Sequence, residues 1–282
     1  MKKIAIVSCN KWMGIITEDK LLRDSLIDKG YRAEIVSWED KSIDFSKYSS
    51  VIIRSVWGYQ NNYSEFKKWL LNLKKNNVLV FNDPDIILDN VRKDKQFEIL
   101  DNNGIPHIET RFIYNPNDIG VINGQTVIKP IISGSGENTY LVSNNDDLNG
   151  INFDYASMED NGIMLEPFVK EVANGEISSI YIDGVNTHNM IRYPGVFAEK
   201  RRPCLISEVP SRAQDLAKRI SNLKEYRGYL YMRVDMVMVN SNPLVMEVEL
   251  AEPDLLFKYI SDDKVRDEGI EHLSSSLIRR MK

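Results

Sequence analysis

Between Lys3 and Phe81 short apolar runs alternate with amphipathic stretches, and this rhythm narrows the choice of fold more than any other feature of the chain. Residues 4–7, 33–36, 51–53 and 78–81 have the length and composition of buried strands, while 18–29 and 63–73 carry the helical period between them. Strands separated by helical crossovers pair in parallel, so 1–81 is predicted to be an open parallel α/β unit. Asn82-Asp83-Pro84-Asp85 breaks the rhythm and reads as the entry to a second unit.

A helix is predicted over 89–103, closed by Gly104 with Pro106 just beyond. Strands at 108–113, 126–131 and 139–142 follow, then a polar stretch to Asn161. From Ile163 onward the pattern resembles an antiparallel sheet, with 177–182 and 185–193 joined by the two-residue turn Asp183-Gly184. A helix over 212–224 and another after Asp262 complete the reading, with no internal repeat.

Composition excludes several classes of function. The chain has 282 residues, and its formal charge of -5 gives no general attraction to nucleic acid or an anionic membrane. Cys9 and Cys204 lack metal-ligand spacing, and His107, His188 and His272 are too scattered for a zinc cluster. The apolar run after Met1-Lys2-Lys3 stops at Ser8, too short for an export signal, and no run approaches transmembrane length. A reducing cytoplasm is the expected compartment.

The densest chemistry lies in Tyr231-Met232-Arg233-Val234-Asp235 and Glu247-Val248-Glu249, separated by the turn residues Asn240-Ser241-Asn242-Pro243. The first run alternates as a half-buried strand. A loop of three or five residues sets Asp235 opposite Glu247 and Arg233 opposite Glu249 on one face, whereas a two-residue loop separates them, so an odd-length loop is expected. Three carboxylates so close repel unless a cation sits between them, and a hard divalent ion suits oxygen ligands. The alternative is a solvated polar face on a hairpin.

Lys129 ends a strand and precedes Ser133-Gly134-Ser135-Gly136, where backbone amides and a point charge suit phosphate, although such runs are mostly plain turns. Glu166-Pro167-Phe168-Val169 reads as an extended linker able to present its backbone to a purine, or as an edge strand blocked by Pro167; Glu176 could accept ribose hydroxyls.

Lys93, eleven residues before Gly104, then Lys129-Pro130 with its Gly/Ser loop, Glu166-Pro167-Phe168-Val169, Gly175-Glu176, Arg233-x-Asp235 and Glu247-x-Glu249 follow in an order that resembles ATP-grasp ligases across the whole chain. The resemblance implies an α/β ATP-grasp fold: a pre-ATP-grasp domain over 1–81, a linker helix and lid over 82–162, and a C-terminal subdomain with a metal site over 163–282. It implies ATP and Mg2+ as cofactors and small-molecule carboxylate and amine substrates, and it leaves a homodimer open. Residue by residue, Lys93, Lys129 and the loop Ser133, Gly134, Ser135 and Gly136 would meet ATP phosphates. Glu166 and the backbone at Phe168 and Val169 would hold adenine, and Glu176 the ribose. Asp235, Glu247 and Glu249 would hold metal, and Arg233 and Arg192 would face the transferring phosphoryl group. Lys95 rivals Lys93, which fits the family's distance to Gly104; Glu249 stands where most members have Asn.

Arg54-Ser55-Val56-Trp57-Gly58-Tyr59 and Glu247-x-Glu249-Leu250-x-Glu252-Pro253 resemble a glutathione-synthetase-related subgroup that includes the cyclo-ligase of cycloserine biosynthesis. Arg54, Trp57 and Tyr59 follow a strand at the carboxyl end of the first sheet, where they line an acceptor pocket or pack the domain junction. His188 is assigned a structural role. The implied activity is an ATP-dependent carboxylate-amine ligase, or cyclo-ligase, acting through an acyl phosphate; a small-molecule kinase and a nucleotide-binding module without turnover are the alternatives. The basic run Lys200-Arg201-Arg202 reads mainly as solvated charge.

Overall fold

The structure, a computed structural model, describes residues 2–134, 136–151, 162–193 and 202–282. β1 (Lys3–Ser8), β2 (Arg32–Ser37), β3 (Ser50–Ile53) and β4 (Val80–Phe81) form a parallel sheet in the order β2-β1-β3-β4. The intervening helices are α1 (Thr17–Asp28) and α2 (Tyr63–Lys75). The order switches direction between β1 and β3, so the loops leaving their carboxyl ends flank the crevice where open α/β sheets receive ligands.

The predicted helix over 89–103 is instead two helices, α3 (Pro84–Asn90) and α4 (Lys93–Asn102). Asp83 accepts a hydrogen bond from the Asp85 amide and caps α3. Arg92 is extended, at φ -91° and ψ 108°. No glycine or proline marks the break; contacts with the third sheet fix it. Gly104, at φ +60°, closes α4 as expected.

β5 (Arg111–Ile113), β6 (Thr126–Pro130), β7 (Tyr140–Val142) and β8 (Ile163–Pro167) form an antiparallel sheet in the order β5-β8-β6-β7. β8 lies inside this sheet, so a division at residue 162 separates it from its partners. Sequence period cannot assign an antiparallel strand to one sheet rather than the next. Ile113, Ile128, Val142, Ile163 and Leu165 form this unit's core.

The third sheet contains β9 (Glu176–Ile182), β10 (Val185–Arg192), β11 (Cys204–Leu205), β12 (Tyr231–Val239) and β13 (Asn242–Glu249), antiparallel in the order β11-β10-β9-β12-β13. α5 (Ser211–Ser221) packs Leu216 and Ile220 into a cluster with Met232, Val234 and Met236. α6 (Asp263–Arg280) runs back to α1, where the Ser25 and Ser274 hydroxyls meet at 2.8 Å. Gly269 lets α6 lie close against Phe257, because a Cβ there would run into that ring. Ile4, Leu22 and Leu26 share a core with Ile180, Phe257, Leu273 and Leu277, so the first and third sheets are joined by apolar burial. Among the described residues no helix is long and apolar enough to cross a membrane.

The β12–β13 hairpin corrects the expected loop length. Its turn has two residues, Asn240 and Ser241, at φ 48° and 65°. Asp235 nevertheless faces Glu247, and Arg233 faces Glu249. A bulge supplies the missing parity: Asp235 pairs with Glu247 but Met236 pairs with Val245, leaving Met246 as the extra residue. The turn suits a right-twisted hairpin, and the bulge returns the acidic side chains to one face. β12 is also buried on both sides, not half-buried, from Tyr231 to Val237. Because Ser241 pays a steric penalty at positive φ, Ser241→Gly should stabilise the protein by about 0.5–1 kcal/mol. Urea unfolding checks this, and an unchanged or lower midpoint would contradict the turn geometry.

Candidate active site

β13 is the edge of the third sheet, and side-chain amides hydrogen-bond its outer backbone. Gln96 donates to the Val248 carbonyl at 2.6 Å and accepts from the Val248 amide at 2.9 Å. Asn90 also donates to the Val248 carbonyl, at 2.7 Å, and accepts from the Leu250 amide at 2.8 Å. Asn82 donates to the Leu250 carbonyl at 2.7 Å and to the Tyr231 carbonyl at 2.8 Å. Farther along, Val245 exchanges bonds with the Pro106 carbonyl and the Ile108 amide, at 3.0 and 3.1 Å. These contacts satisfy an edge that would otherwise bury unpaired backbone groups. They also seat α3 and α4 so that Lys93, at the first position of α4, reaches Glu247.

Lys93 ion-pairs with Glu247 and is 7% exposed. Burial opposes its charge, yet Glu247 and Glu249 more than offset this and raise its pKa. Lys95 turns to Glu98 at 2.8 Å with both side chains about half exposed, so only Lys93 joins the carboxylate cluster. Lys129 pairs with Glu166 at 2.9 Å across the second sheet.

Arg233 and Arg192 converge on Asp235, which is 1% exposed. The Arg233 Nη2 lies 2.9 Å from Asp235 Oδ2 and 3.0 Å from Glu249 Oε2, and its Nη1 donates to the Asp254 carbonyl at 3.0 Å. Arg192 Nη2 spans Asp235 at 2.7 Å and Glu176 at 3.1 Å. The Ser178 hydroxyl donates to Asp235 at 2.6 Å and accepts from Arg192 at 2.9 Å. Burial works against the Asp235 charge, but the two guanidinium groups win and hold its pKa below the ordinary value.

The expected metal trio is therefore only partly free to bind metal. Its mutual repulsion is relieved by Lys93, Arg233 and Arg192, and both Asp235 oxygens are taken by guanidinium donors. Among the described residues no three His, Cys, Asp or Glu side chains are grouped to hold a metal ion. The charge balance still fits a hard cation. Glu166, Glu176, Asp235, Glu247, Glu249 and Glu252 face Lys93, Lys129, Arg192 and Arg233, an excess of carboxylates. Burial, with Glu247 nearby, pushes Glu249 up to about 7, and burial with Glu249 pushes Glu252 up to about 8. Burial raises Glu176 to about 7 despite Arg192, whereas Lys93, opposing burial, holds Glu247 down at about 2. Glu247 and Glu249 offer the oxygen chemistry that Mg2+ takes.

Other expected contacts are redistributed. The Phe168 amide donates to the Gln125 carbonyl at 2.9 Å, and the Val169 carbonyl accepts from Val172 at 3.2 Å, so these two groups bond to protein. Ser133, Gly134 and Gly136 lie beyond β6; Ser135 lies outside the described residues, as do Lys200 and Arg201. Glu137 accepts from Gln60 at 2.9 Å and Asn61 at 3.3 Å, bringing this loop to the first domain. Arg54 and Trp57 grip the segment after β13: Arg54 donates to the Pro253 carbonyl at 3.0 Å, and the Trp57 indole to the Glu252 carbonyl at 3.1 Å. Tyr59 is 2% exposed and stacks on Phe66 at 4.8 Å. Arg54 and Trp57 thus tie the first sheet's loop to the segment after β13, while Tyr59 packs among the apolar residues around Phe66.

His188 has the structural role assigned to it. Its Nε2 donates to the Leu255 carbonyl at 2.7 Å, and Thr187 donates to Nδ1 at 3.0 Å, which fixes a neutral tautomer.

The family model for the D-cycloserine synthetase DcsG N-terminal domain matches residues 4–82. The cycloserine biosynthesis protein DcsG of Streptomyces lavendulae is 24% identical over 263 residues, covering 84% of this chain and 87% of that protein. The crystal structure of D-cycloserine synthetase DcsG superposes with a TM-score of 0.82 at 19% identity, covering 99% of this chain and 100% of the other. A D-alanine–D-alanine ligase from Bacillus anthracis, solved with ATP, gives 0.70 at 15% identity over 100% and 97% of the two chains. The α/β ATP-grasp fold expected from the motifs is the fold of this chain.

Burial pushes the His188 imidazole down to about 4 against the Leu255 hydrogen bond. The unfolded chain, with a histidine pKa of about 6.5, binds the proton more readily, so the stability His188 contributes is full above that pH and is lost as pH falls toward 4. The stability difference between wild type and His188→Gln should shrink by about 2–3 kcal/mol from pH 7 to 4.5 in urea titrations. A pH-independent difference would rule this out.

Proposed function

We propose that this ATP-grasp chain is an ATP-dependent ligase that joins a carboxylate to an amine, between molecules or within one, releasing ADP and phosphate. The observation that carries this reading is the row of buried and half-buried ion pairs along the third sheet, Lys93–Glu247, Arg233–Glu249 and Arg192–Asp235, with Lys129–Glu166 on the second sheet. The likeness to D-cycloserine synthetase and to a D-alanine–D-alanine ligase solved with ATP supports ATP-dependent ligase chemistry and a small, amino-acid-like substrate.

Lys93 and Lys129 each hold a carboxylate and exchange it for phosphate oxygens as ATP enters. The Ser133–Gly136 loop closes over those phosphates with its backbone amides, and Glu166 and Glu176 hold the nucleoside. Glu247 and Glu249 would hold Mg2+, which would supply positive charge to neutralise the phosphates. Arg233, fixed by Asp235 and the Asp254 carbonyl, and Arg192, fixed by Asp235 and Glu176, present guanidinium donors to the charge that develops as the substrate carboxylate is activated. The chain forms no covalent intermediate; it positions, neutralises charge and keeps water from the acyl phosphate.

ADP release with ATP and Mg2+ should be measured over the amino acids and short peptides, singly and in pairs, with products weighed by mass. A new amide, or loss of water from a single substrate, is expected; a stable phosphorylated acid would assign a kinase. With the substrate found, Lys93→Ala should lower turnover roughly 100-fold, while Lys95→Ala stays within about twofold. Equal losses would contradict the assignment of Lys93.

A further inference from the structure

The loop that leaves β6 is fastened to the first domain at two points. At its start Ile131 and Ile132 are buried in one apolar cluster with Val56, Tyr59 and Phe66. Past the glycines, the Glu137 carboxylate accepts hydrogen bonds from Gln60 Nε2 at 2.9 Å and Asn61 Nδ2 at 3.3 Å. The Glu137 amide donates to the Gly134 carbonyl at 3.1 Å, which turns the chain back, and Gly134 lies along the Gln60 side chain, where a Cβ would stand 3.5 Å from Oε1.

Gln60 and Asn61 are held ready for this contact. They lie in a 3-10 turn over Tyr59–Asn62, entered through Gly58 at φ +99°, a conformation that favours glycine. The Gly58 amide donates to Gln60 Oε1 at 3.1 Å, so the acceptor end of that side chain is occupied and its donor end faces Glu137. Tyr59 roots the turn in the core, and Trp57, just before it, donates to the Glu252 carbonyl. The stretch from Trp57 to Asn61 therefore touches both the segment after β13 and the loop proposed above to cover phosphate. Hydrogen bonds to a carboxylate are stronger than neutral ones, and with Asn61 and Glu137 exposed they still break readily.

We propose that Gln60 and Asn61 are positioning residues that latch the phosphate loop through Glu137, keeping it shut over nucleotide while the acyl phosphate awaits its amine; the inference rests on the ligase reading above. The latch raises the ratio of closed to open loop by roughly fivefold, the worth of an exposed contact to a charged group. It opens to let ADP leave. An open loop admits water, which in place of the amine returns the free acid and phosphate, so that ATP is consumed without product. Because Trp57 grips the segment after β13, loop closure is tied to the seating of the first domain on the third sheet.

Release of a fluorescent ADP analogue bound with Mg2+, chased by ATP in stopped flow, reads the latch without knowledge of the acid or amine. Glu137→Ala should speed release roughly fivefold, Gln60→Ala combined with Asn61→Ala should match it, and all three together should be no faster, because one contact is lost in each case. Gln60→Glu sets two carboxylates face to face and should also speed release. Adding Glu137→Gln to it puts a donor opposite an acceptor again and should return the rate to within about twofold of wild type. With the ligase substrates in hand, Glu137→Ala should form more ADP than amide. A wild-type release rate in Glu137→Ala, multiplying effects in the combined variant, or no rescue by the exchanged pair would overturn the latch. A wild type that binds no nucleotide would defeat the ligase reading and this inference together, whereas faster release in Glu137→Ala with a phosphorylated acid as product would keep the latch and make the enzyme a kinase.

Discussion

The outer edge of β13 is paired by side chains rather than by another strand, and the position of the candidate site depends on that substitution. Backbone groups at alternate positions of an edge strand point outward, and here Val248 and Leu250 are met by the amides of Asn82, Asn90 and Gln96. Amides can do this because each carries both a donor and an acceptor, the same pair a neighbouring strand would offer. The bulge at Met246 decides which residues point outward, so the device that aligns Glu247 and Glu249 with Arg233 and Asp235 also presents Val248 and Leu250 to the linker helices. Lys93 is then placed by the same helix that carries Gln96.

On that frame the electrostatics follow. Each of these cations touches a carboxylate, whose charge offsets the cost of desolvation, and each pair can be reopened by phosphate. Arg233 links the hairpin to the Asp254 carbonyl, and Arg54 and Trp57 link the next residues to the first domain. The first and third sheets therefore share both a core and a hydrogen-bonded segment beside the acidic cluster. Six carboxylates against four cations leave an excess of negative charge, which Glu249 and Glu252 express as raised proton affinity.

Much of this was legible in the sequence, because period and turn chemistry are local. The four parallel strands, the Asp183-Gly184 hairpin, the facing of Asp235 and Glu247 and the ATP-grasp fold all followed from residue patterns and motif order. What was not legible depended on tertiary contacts. The odd loop failed because a bulge can restore parity without leaving a mark in the turn. The break between α3 and α4 has no glycine or proline, since it is set by Asn90 and Gln96 reaching β13. The polar residues Asn82, Asn90 and Gln96 around the linker helices were the available signal for the edge contacts. The metal trio was expected to need a metal for charge relief, but Arg233, two residues from Asp235, and the sequence-remote Arg192 and Lys93 supply part of it. Arg54, Trp57 and Tyr59 read equally as pocket or junction, and the junction contacts involve Glu252 and Pro253, which no local pattern pairs with them.

Amide pairing of the β13 edge aligns Lys93 with the carboxylate cluster proposed to bind ATP. Isothermal titration of ATP with Mg2+ into wild type and Gln96→Leu tests it most directly, since Gln96 is wholly buried and has no place in the cluster itself. At least tenfold weaker binding is expected in a variant that still folds, because the Val248 amide loses its partner, its carbonyl keeps only Asn90, and Lys93 loses its alignment. Wild-type affinity in that variant would mean that the carboxylates and lysines find their places without the edge contacts, and the claim would be wrong.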